Sequence, residues 1–502
     1  MKRFINVTIL LVLLTLMLVS SCLVGFAKEQ VITFARAYDI QLMDPNDNFS
    51  PANNILEYLL YDRLVDFDPE TGIDFIPALA TEWKISPDAK EYTFKLRKGI
   101  RFHNGEPFNA ECVKVTLERF LHEKALRRGM LWTDLKEVEI VDDYTVIVKF
   151  SEINVMCLTT LASTPMLPAK AFKEKGVALF DNPIGTGAFT FGYWKHGQDA
   201  LFNKNPDYWR ESANVADKFI FLTLPEPSTR LSGVLTGEIS ISDYMTADQI
   251  PLIESSPNVE VVRGLAWDQV YLALKTDIPP FTDIKFRQAI ALAIDNEGII
   301  KNIMRGGRVA TGFIPKGMLG FDDSLVPLKQ DVEKAKQLVK ESIYDGRTLN
   351  LMVPMGWIPF EKEVAQIIQS GLKEVGINVE LEILESSTFK EKRAAGKYDM
   401  FLNEDQHMGD IDFVLQRILA ADVHKMGVSP ELKMLVLDQR REVDIQKRIA
   451  MLRKIESIMN ADFAPLITLY QFEYVLFQQK GITGVKYYGS KTHDVRYAHY
   501  EE

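Results

Sequence analysis

The sequence predicts a mixed α/β protein of more than one domain, and three observations carry that reading. The chain has 502 residues, more than one hydrophobic core normally serves, so two or three domains are expected. Strand-like and helix-like periods alternate in the C-terminal half, the pattern of parallel β-α units. Hairpin signals dominate the N-terminal half, which reads as α+β. A composition 47% hydrophobic and 25% charged is that of a globular chain, neither disordered nor membrane-embedded. The net charge of −11 is spread along the length. No Lys/Arg cluster with interleaved aromatics occurs, so nucleic acid is not an expected partner.

The elements follow in order. Lys2-Arg3, an apolar run from Ile5 to Val19 and the small residues Ser20-Ser21-Cys22 form a secretory signal over residues 1–27. The run is short for a membrane span. Two processing readings stand. Val19-Ser20-Ser21-Cys22 resembles a bacterial lipobox, which would lipidate Cys22. Cleavage after Ala27 would instead release a chain starting at Lys28. Either places the protein outside the cytoplasm, in the periplasm or at the cell surface. In EYTFKLRKGIRFHNGEPF, Tyr92, Phe94 and Leu96 share one face of a strand, and Gly99 and Asn104-Gly105 mark turns. Asn109 is placed to cap a helix whose stripe is Val113, Leu117, Phe120 and Leu121. VEIVDDYTVIVKF reads as a hairpin turning at Asp142-Asp143. Residues 286–304 read as a helix or helix pair, and the helix ended by Gly376 leads into the strand Val379–Leu384. VDIQKRIAMLRKIESIMNADF is a long amphipathic helix. Besides Cys22 the cysteines are Cys112 and Cys157, each in an apolar stretch, read as two buried thiols in preference to one disulfide.

Motifs for catalysis or cofactors are missing. There is no G-x-S-x-G elbow, H-E-x-x-H helix, phosphate loop or C-x-x-C pair, so no cofactor or metal is expected. Gly185-Thr186-Gly187 reads as a turn, His122 as part of a solvated helix face, and His103 as structural.

Several segments carry a family resemblance. ALATEWKISPDAKEYTFKLRKGIRFHNGEPFNAECV (78–113) resembles the hallmark of extracytoplasmic solute-binding proteins of the peptide/nickel type (family 5), which serve ABC importers. LMDPNDNFSPANNILEYLLYDRLVDFDP (42–69), NPIGTGAFTF…NPDYW (182–209, with Ala188 in place of a usual proline), FTDIKFRQAIALAID (281–295) and VAQIIQSGLKEVGINVEL (364–381) agree in order. The resemblance implies a two-lobed clamp of the type II periplasmic-binding-protein kind with an extra inserted subdomain. Lobe I would be residues 28–264 plus 481–502, with the insertion at about 50–180, and lobe II 265–480. The crossing segments would be Arg263–Tyr271 and Glu473–Lys480. It further implies a non-catalytic, monomeric subunit that closes on a small solute and presents it to membrane permease subunits. A ligand closes such a clamp only by binding the closed form better.

The same resemblance nominates ligand-binding residues. Trp132, Trp267 and Trp357 fall where the family places cleft-lining segments, and Asp268 follows Trp267 at the crossing; an indole there stacks on a ligand and donates one hydrogen bond. Arg128 offers a clamp for a carboxylate, against the plainer reading of a helix-end cation. Tyr38 and Asn54 are candidates in the N-terminal segment. In KYDMFLNEDQHMGDIDFVL, peptide-binding members place an acid that pairs with the peptide amine. Aligned on Gly409-Asp410, that position is His407; a two-residue shift makes it Asp405. The carboxylate-binding arginine of the peptide members appears as Met355. The expected solute is thus a peptide, an oligosaccharide or a metal chelate, with three tryptophans favouring a sugar slightly. The rival readings are a secreted hydrolase using Glu404, Asp405 and Asp410 or Asp412, and a surface chaperone or adhesin reusing the clamp.

Overall fold

The computed structural model describes residues 29–47, 51–68, 71, 73–123, 125–210, 216–243, 245, 249–405, 409–490 and 493–501. Cys22 and His407 lie outside the described residues. Among those described, no helix is long and apolar enough to cross a membrane.

The fold is mixed α/β, as expected, and is organised by an eleven-stranded sheet. Its strands are β1 (Val31–Arg36), β2 (Phe189–Lys195), β3 (Asp199–Lys204), β4 (Lys218–Thr223), β5 (Ile241–Ser242), β6 (Val259–Leu274), β7 (Arg308–Val309), β8 (Leu349–Pro354), β9 (Val379–Leu384), β10 (Met400–Asp405) and β11 (Leu466–Gln479). They lie in the order β9-β8-β10-β6-β11-β5-β1-β4-β3-β2, with β7 against β11. Strand β8 runs parallel to β9 and β10, and β1 runs parallel to β4 and β5.

The long antiparallel pair β6–β11 joins the two halves of the sheet. At one end Val259 faces Gln479, and Gln478 also faces Ile241 of β5. At the other end Leu274 faces Met400 of β10. Alternation sends β6 side chains to opposite faces. Val270, Leu272 and Leu274 enter a core with the helices Ile284–Ala293 and Glu361–Glu374; Tyr271 and Ala273 enter another with the helix Ile445–Asp462. Both faces are covered, which explains the nearly continuous apolar run at Val270–Leu274. A further core lies where Phe34, Phe202 and Phe219 meet the helix Pro51–Leu60 and the C-terminal residues Ile482, Val495 and Ala498.

A separate core is built on a four-stranded antiparallel sheet: Ala80–Ile85, Glu91–Leu96, Thr145–Phe150 and Leu135–Asp142, in that order. Tyr92, Phe94 and Leu96 point inward, as their spacing requires. Asn109 caps the helix Ala110–His122 by accepting the Glu111 amide at 3.1 Å. The hairpin turns at Asp143-Tyr144, with the Asp142 carboxylate accepting the Tyr144 amide at 2.8 Å. Cys112 and Cys157 are free and buried, and burial pushes both thiols above their usual range.

The Gly185-Thr186-Gly187 turn fits against the end of the Pro51–Leu60 helix. The Gly185 amide donates to Nδ1 of His103 at 3.2 Å, which leaves the proton on Nε2 to donate to the Gly187 carbonyl at 3.1 Å. Burial holds this imidazole below its usual pKa, so His103 is a neutral brace. A Cβ on Gly187 would sit 2.3 Å from the Leu59 carbonyl oxygen and 2.4 Å from the Leu60 carbonyl carbon, both backbone atoms. Gly187→Ala is therefore expected to lower stability by about 1–3 kcal/mol, read as a reduced urea midpoint at unchanged slope.

Candidate functional site

The β6–β11 ladder is broken partway along its length. Leu265 faces Glu473 and Gln269 faces Gln471, so Ala266, Trp267 and Asp268 oppose Phe472 alone. Such a bulge re-aims side chains. It turns Trp267 toward the C-terminal segment, where its amide donates to the Gly489 carbonyl at 2.5 Å. Gly489 is required there, since a Cβ would lie 2.5 Å from the indole.

Two spaces share Ser163, and the smaller of them opens beside this bulge, where Trp267 lines it. The larger, about 480 Å³, has Met130, Met156 and Thr160 on one wall and Asp410, Phe413, Gln416, Arg417 and Arg440 on the other. That volume lies within the roughly 300–1,000 Å³ of small-molecule sites. The smaller, about 50 Å³, is a recess lined by Asn54, Glu57, Tyr58, Arg63 and Arg128, by Trp267, and by Gly409.

The walls touch on both sides of these spaces. Gly409 has φ +68°, and a Cβ there would sit 2.5 Å from the Phe67 ring. Across the cavity, Arg440 Nη2 lies 3.5 Å from Asp134, and Arg448 Nη2 lies 3.6 Å from the sulfur of Met156. The loop between is held from behind. Asp410 receives both Nη groups of Arg448 at 2.8 and 2.7 Å and accepts the Asp412 amide at 2.8 Å. Gln439 accepts Arg448 Nε at 3.1 Å and donates to Asp412 at 2.5 Å. Burial raises the Asp412 carboxyl above its usual range, offset in part by Arg440.

The structure gathers three of the nominated residues in the recess: Asn54, Arg128 and Trp267. Arg128 is buried and engaged by the protein itself. Its Nη2 donates to Glu57 at 2.7 Å and to Asn54 at 3.4 Å, and Nη1 donates to the Ser163 carbonyl. It therefore frames the recess with donors that the protein itself engages. Trp132 is a core residue stacked between Phe120 (5.7 Å, 15°) and Phe150 (6.3 Å, 8°) and lines neither space. Trp357 packs edge-on to Phe389 at 5.2 Å and donates to Ser386 Oγ at 3.3 Å, outside both spaces. Asp268 is buried within the bulge, and Tyr38 is 58% exposed away from the lining. Asp405 lies behind the cavity wall, paired with Arg417 and accepting the Tyr271 hydroxyl at 2.6 Å. Met355, before the helix Glu361–Glu374, is 40% exposed. Residues not nominated include Glu57, Arg63, Ser163 and Arg417. Arg63 sits inside the YDRL stretch that carried the resemblance, so it read as scaffold.

Asp405 and Asp410 each have their own arginine, the arrangement of structural ion pairs and not of two carboxylates sharing a proton. That disfavours the hydrolase reading.

The family model described as bacterial extracellular solute-binding proteins, family 5 (middle part), matches residues 74–418. The chain is 29% identical over 372 residues to di/tripeptide-binding protein 2 of Pseudomonas aeruginosa, spanning 68% of this chain and 70% of that protein. It is also 29% identical over 404 residues to the probable D,D-dipeptide-binding periplasmic protein DdpA of Escherichia coli, with 77% of each covered. Among solved structures, the periplasmic binding protein DppA of Helicobacter pylori, in complex with the peptide STSA, matches at a TM-score of 0.78 and 27% identity. That match covers 95% of this chain and 99% of that one. The Listeria monocytogenes protein CtaP shares the fold at a TM-score of 0.85 and 22% identity, over 95% of this chain and all of that one.

Proposed function

The chain belongs to the bacterial extracellular solute-binding proteins of family 5, and on that premise we propose that it captures a short or modified peptide between its lobes for an ABC importer. This is a family of binding proteins and not of enzymes. The observation that carries the reading is the cavity of about 480 Å³ between residues 130–163 and residues 410–440, which the proposed division would place on opposite lobes. A solute held there contacts both lobes at once, and so favours the closed arrangement over an open one. Residues 28–264 with 481–502 would move against 265–480 about the crossing strands, and the closed form would be read by the permease. The chain would act as a monomer outside the cytoplasm, either free after cleavage at Ala27 or anchored through a lipid on Cys22.

Peptide is preferred to sugar for two reasons. Relatives spanning most of the chain are named for di- and tripeptides. Of the three tryptophans expected at the cleft only Trp267 lines it, which removes the argument from several stacked rings. Met355 and His407, at the two positions where peptide members anchor termini, indicate recognition unlike that of a generic peptide reader.

A thermal-shift screen of the purified protein against short peptides, oligosaccharides and metal chelates tests this. A peptide at about a hundredfold its Kd should add roughly 2.7 kcal/mol of stability, and Trp267→Ala should weaken that gain. Stabilisation by sugars or chelates alone would overturn the peptide assignment.

A further inference from the structure

Arg63 is the least satisfied charged side chain at the site. It is 2% exposed and lines the recess with Trp267 and Asn54. Its guanidinium lies over the Tyr58 ring, 4.1 Å from the centroid, which sets its plane. Nη2 reaches Glu57 at 3.3 Å. Among the described residues Nε and Nη1 have no hydrogen-bond acceptor. A buried donor without an acceptor is costly, and a buried guanidinium more so. Glu57 does not relieve this, because its other oxygen is taken by Arg128 at 2.7 Å. Among the described residues, two guanidinium groups and one carboxylate therefore line the recess.

The neighbouring carboxylates are committed elsewhere. Asp66 binds Arg210 at 2.6 Å and Arg496 at 3.3 Å, and Asp494 binds Arg496 at 2.7 Å. They balance the wider charge at a distance, but Arg63 still lacks acceptors. A recess of about 50 Å³ exceeds the roughly 10–15 Å³ that one water needs. It suits a small planar group, and it adjoins the main cavity at Ser163.

We infer that the recess is the acid-end subsite of the clamp, where Arg63 donates from its unpaired edge to a carboxylate of the bound solute. The subsite rests on the proposed interlobe peptide reading and deepens it. The solute lies in the large cavity with its acidic end turned toward Trp267. The anchoring cation then belongs to the first lobe, on the segment after the Pro51–Leu60 helix. Both sources of the carboxylate, a peptide C-terminus or an acidic side chain, fit this chemistry.

The test uses a randomised tripeptide pool, half free acids and half C-terminal amides. It is offered to the purified protein, and retained peptides are identified by mass spectrometry after gel filtration. Free acids should be enriched about 10- to 100-fold over amides without Asp or Glu, as one charge-assisted contact implies. Amides containing Asp or Glu that are retained as well as free acids assign the carboxylate to a side chain; their rejection assigns it to the terminus. Arg63→Met should remove the enrichment, and Arg63→Lys should keep part of it. Circular dichroism of both variants confirms that they fold, and the acid-to-amide comparison on the unaltered protein stands without them. Equal retention of acids and amides, or an enrichment that survives in Arg63→Met, overturns the subsite while leaving the peptide reading intact. Retention of neither form overturns both.

Discussion

Asp410→Ala is expected to lower stability by roughly 3–5 kcal/mol, the cost of leaving a buried guanidinium without its partner. Arg448 is 4% exposed, and both of its Nη groups donate to Asp410. Gln439 takes only Nε, and the remaining contact is the Met156 sulfur across the cavity. The same substitution removes the acceptor for the Asp412 amide, which shapes the cavity wall. Asp410→Ala with Arg448→Met should recover most of the loss, because exchanging a buried pair for apolar groups is often near neutral. Urea unfolding of the single and double variants measures this. A loss below about 1 kcal/mol in Asp410→Ala would show that the pair is solvated and that the cavity walls stand further apart.

The second large effect is a pH dependence set by Glu456. This side chain on the helix Ile445–Asp462 is 1% exposed, and its Oε1 accepts the Ile314 amide at 2.9 Å. Burial raises its carboxyl from 4.5 to about 7. Between those values the folded protein keeps a proton that the unfolded chain has released, so stability falls as pH rises. The contribution is fully present below about pH 4.5, declines by about 1.4 kcal/mol per unit, and is lost above about pH 7. The total is on the order of 3 kcal/mol. Glu456→Gln keeps an acceptor for Ile314 and should flatten this slope, making the variant the more stable protein at pH 8. Denaturation midpoints at pH 5 and pH 8 check it, and an unchanged slope would refute the assignment. The loop concerned lies beside the crossing: Gln269 of β6 donates to the Gly312 carbonyl at 3.2 Å.

Much of the scaffold was legible because it depends on local pattern. Alternation placed Tyr92, Phe94 and Leu96 on one face, and Asn109 marked a helix start through its side-chain acceptor. The helix ending before Gly376 and the strand Val379–Leu384 followed the change of period from 3.6 to 2. The fold class followed from these alternations, and the family from motifs spread along the chain. Trp132 shows where such reasoning stops. An aromatic after a basic pair reads equally as cleft or core, and the choice was made by Phe120 and Phe150, residues 12 before it and 18 after it. Arg128 is a similar case. Its charge was visible, but the carboxylate that consumes it, Glu57, lies 71 residues away.

The sequence by itself determined the mixed α/β class and the family, because periodicity and ordered motifs are local. Only the tertiary structure decided which polar groups are free to meet a solute. Asp405, Asp410 and Arg128 are already paired inside the protein, whereas Arg63 keeps donors without acceptors in the recess. Whether a buried charge has a partner depends on residues brought together across the fold, and local spacing along the chain carries no record of that.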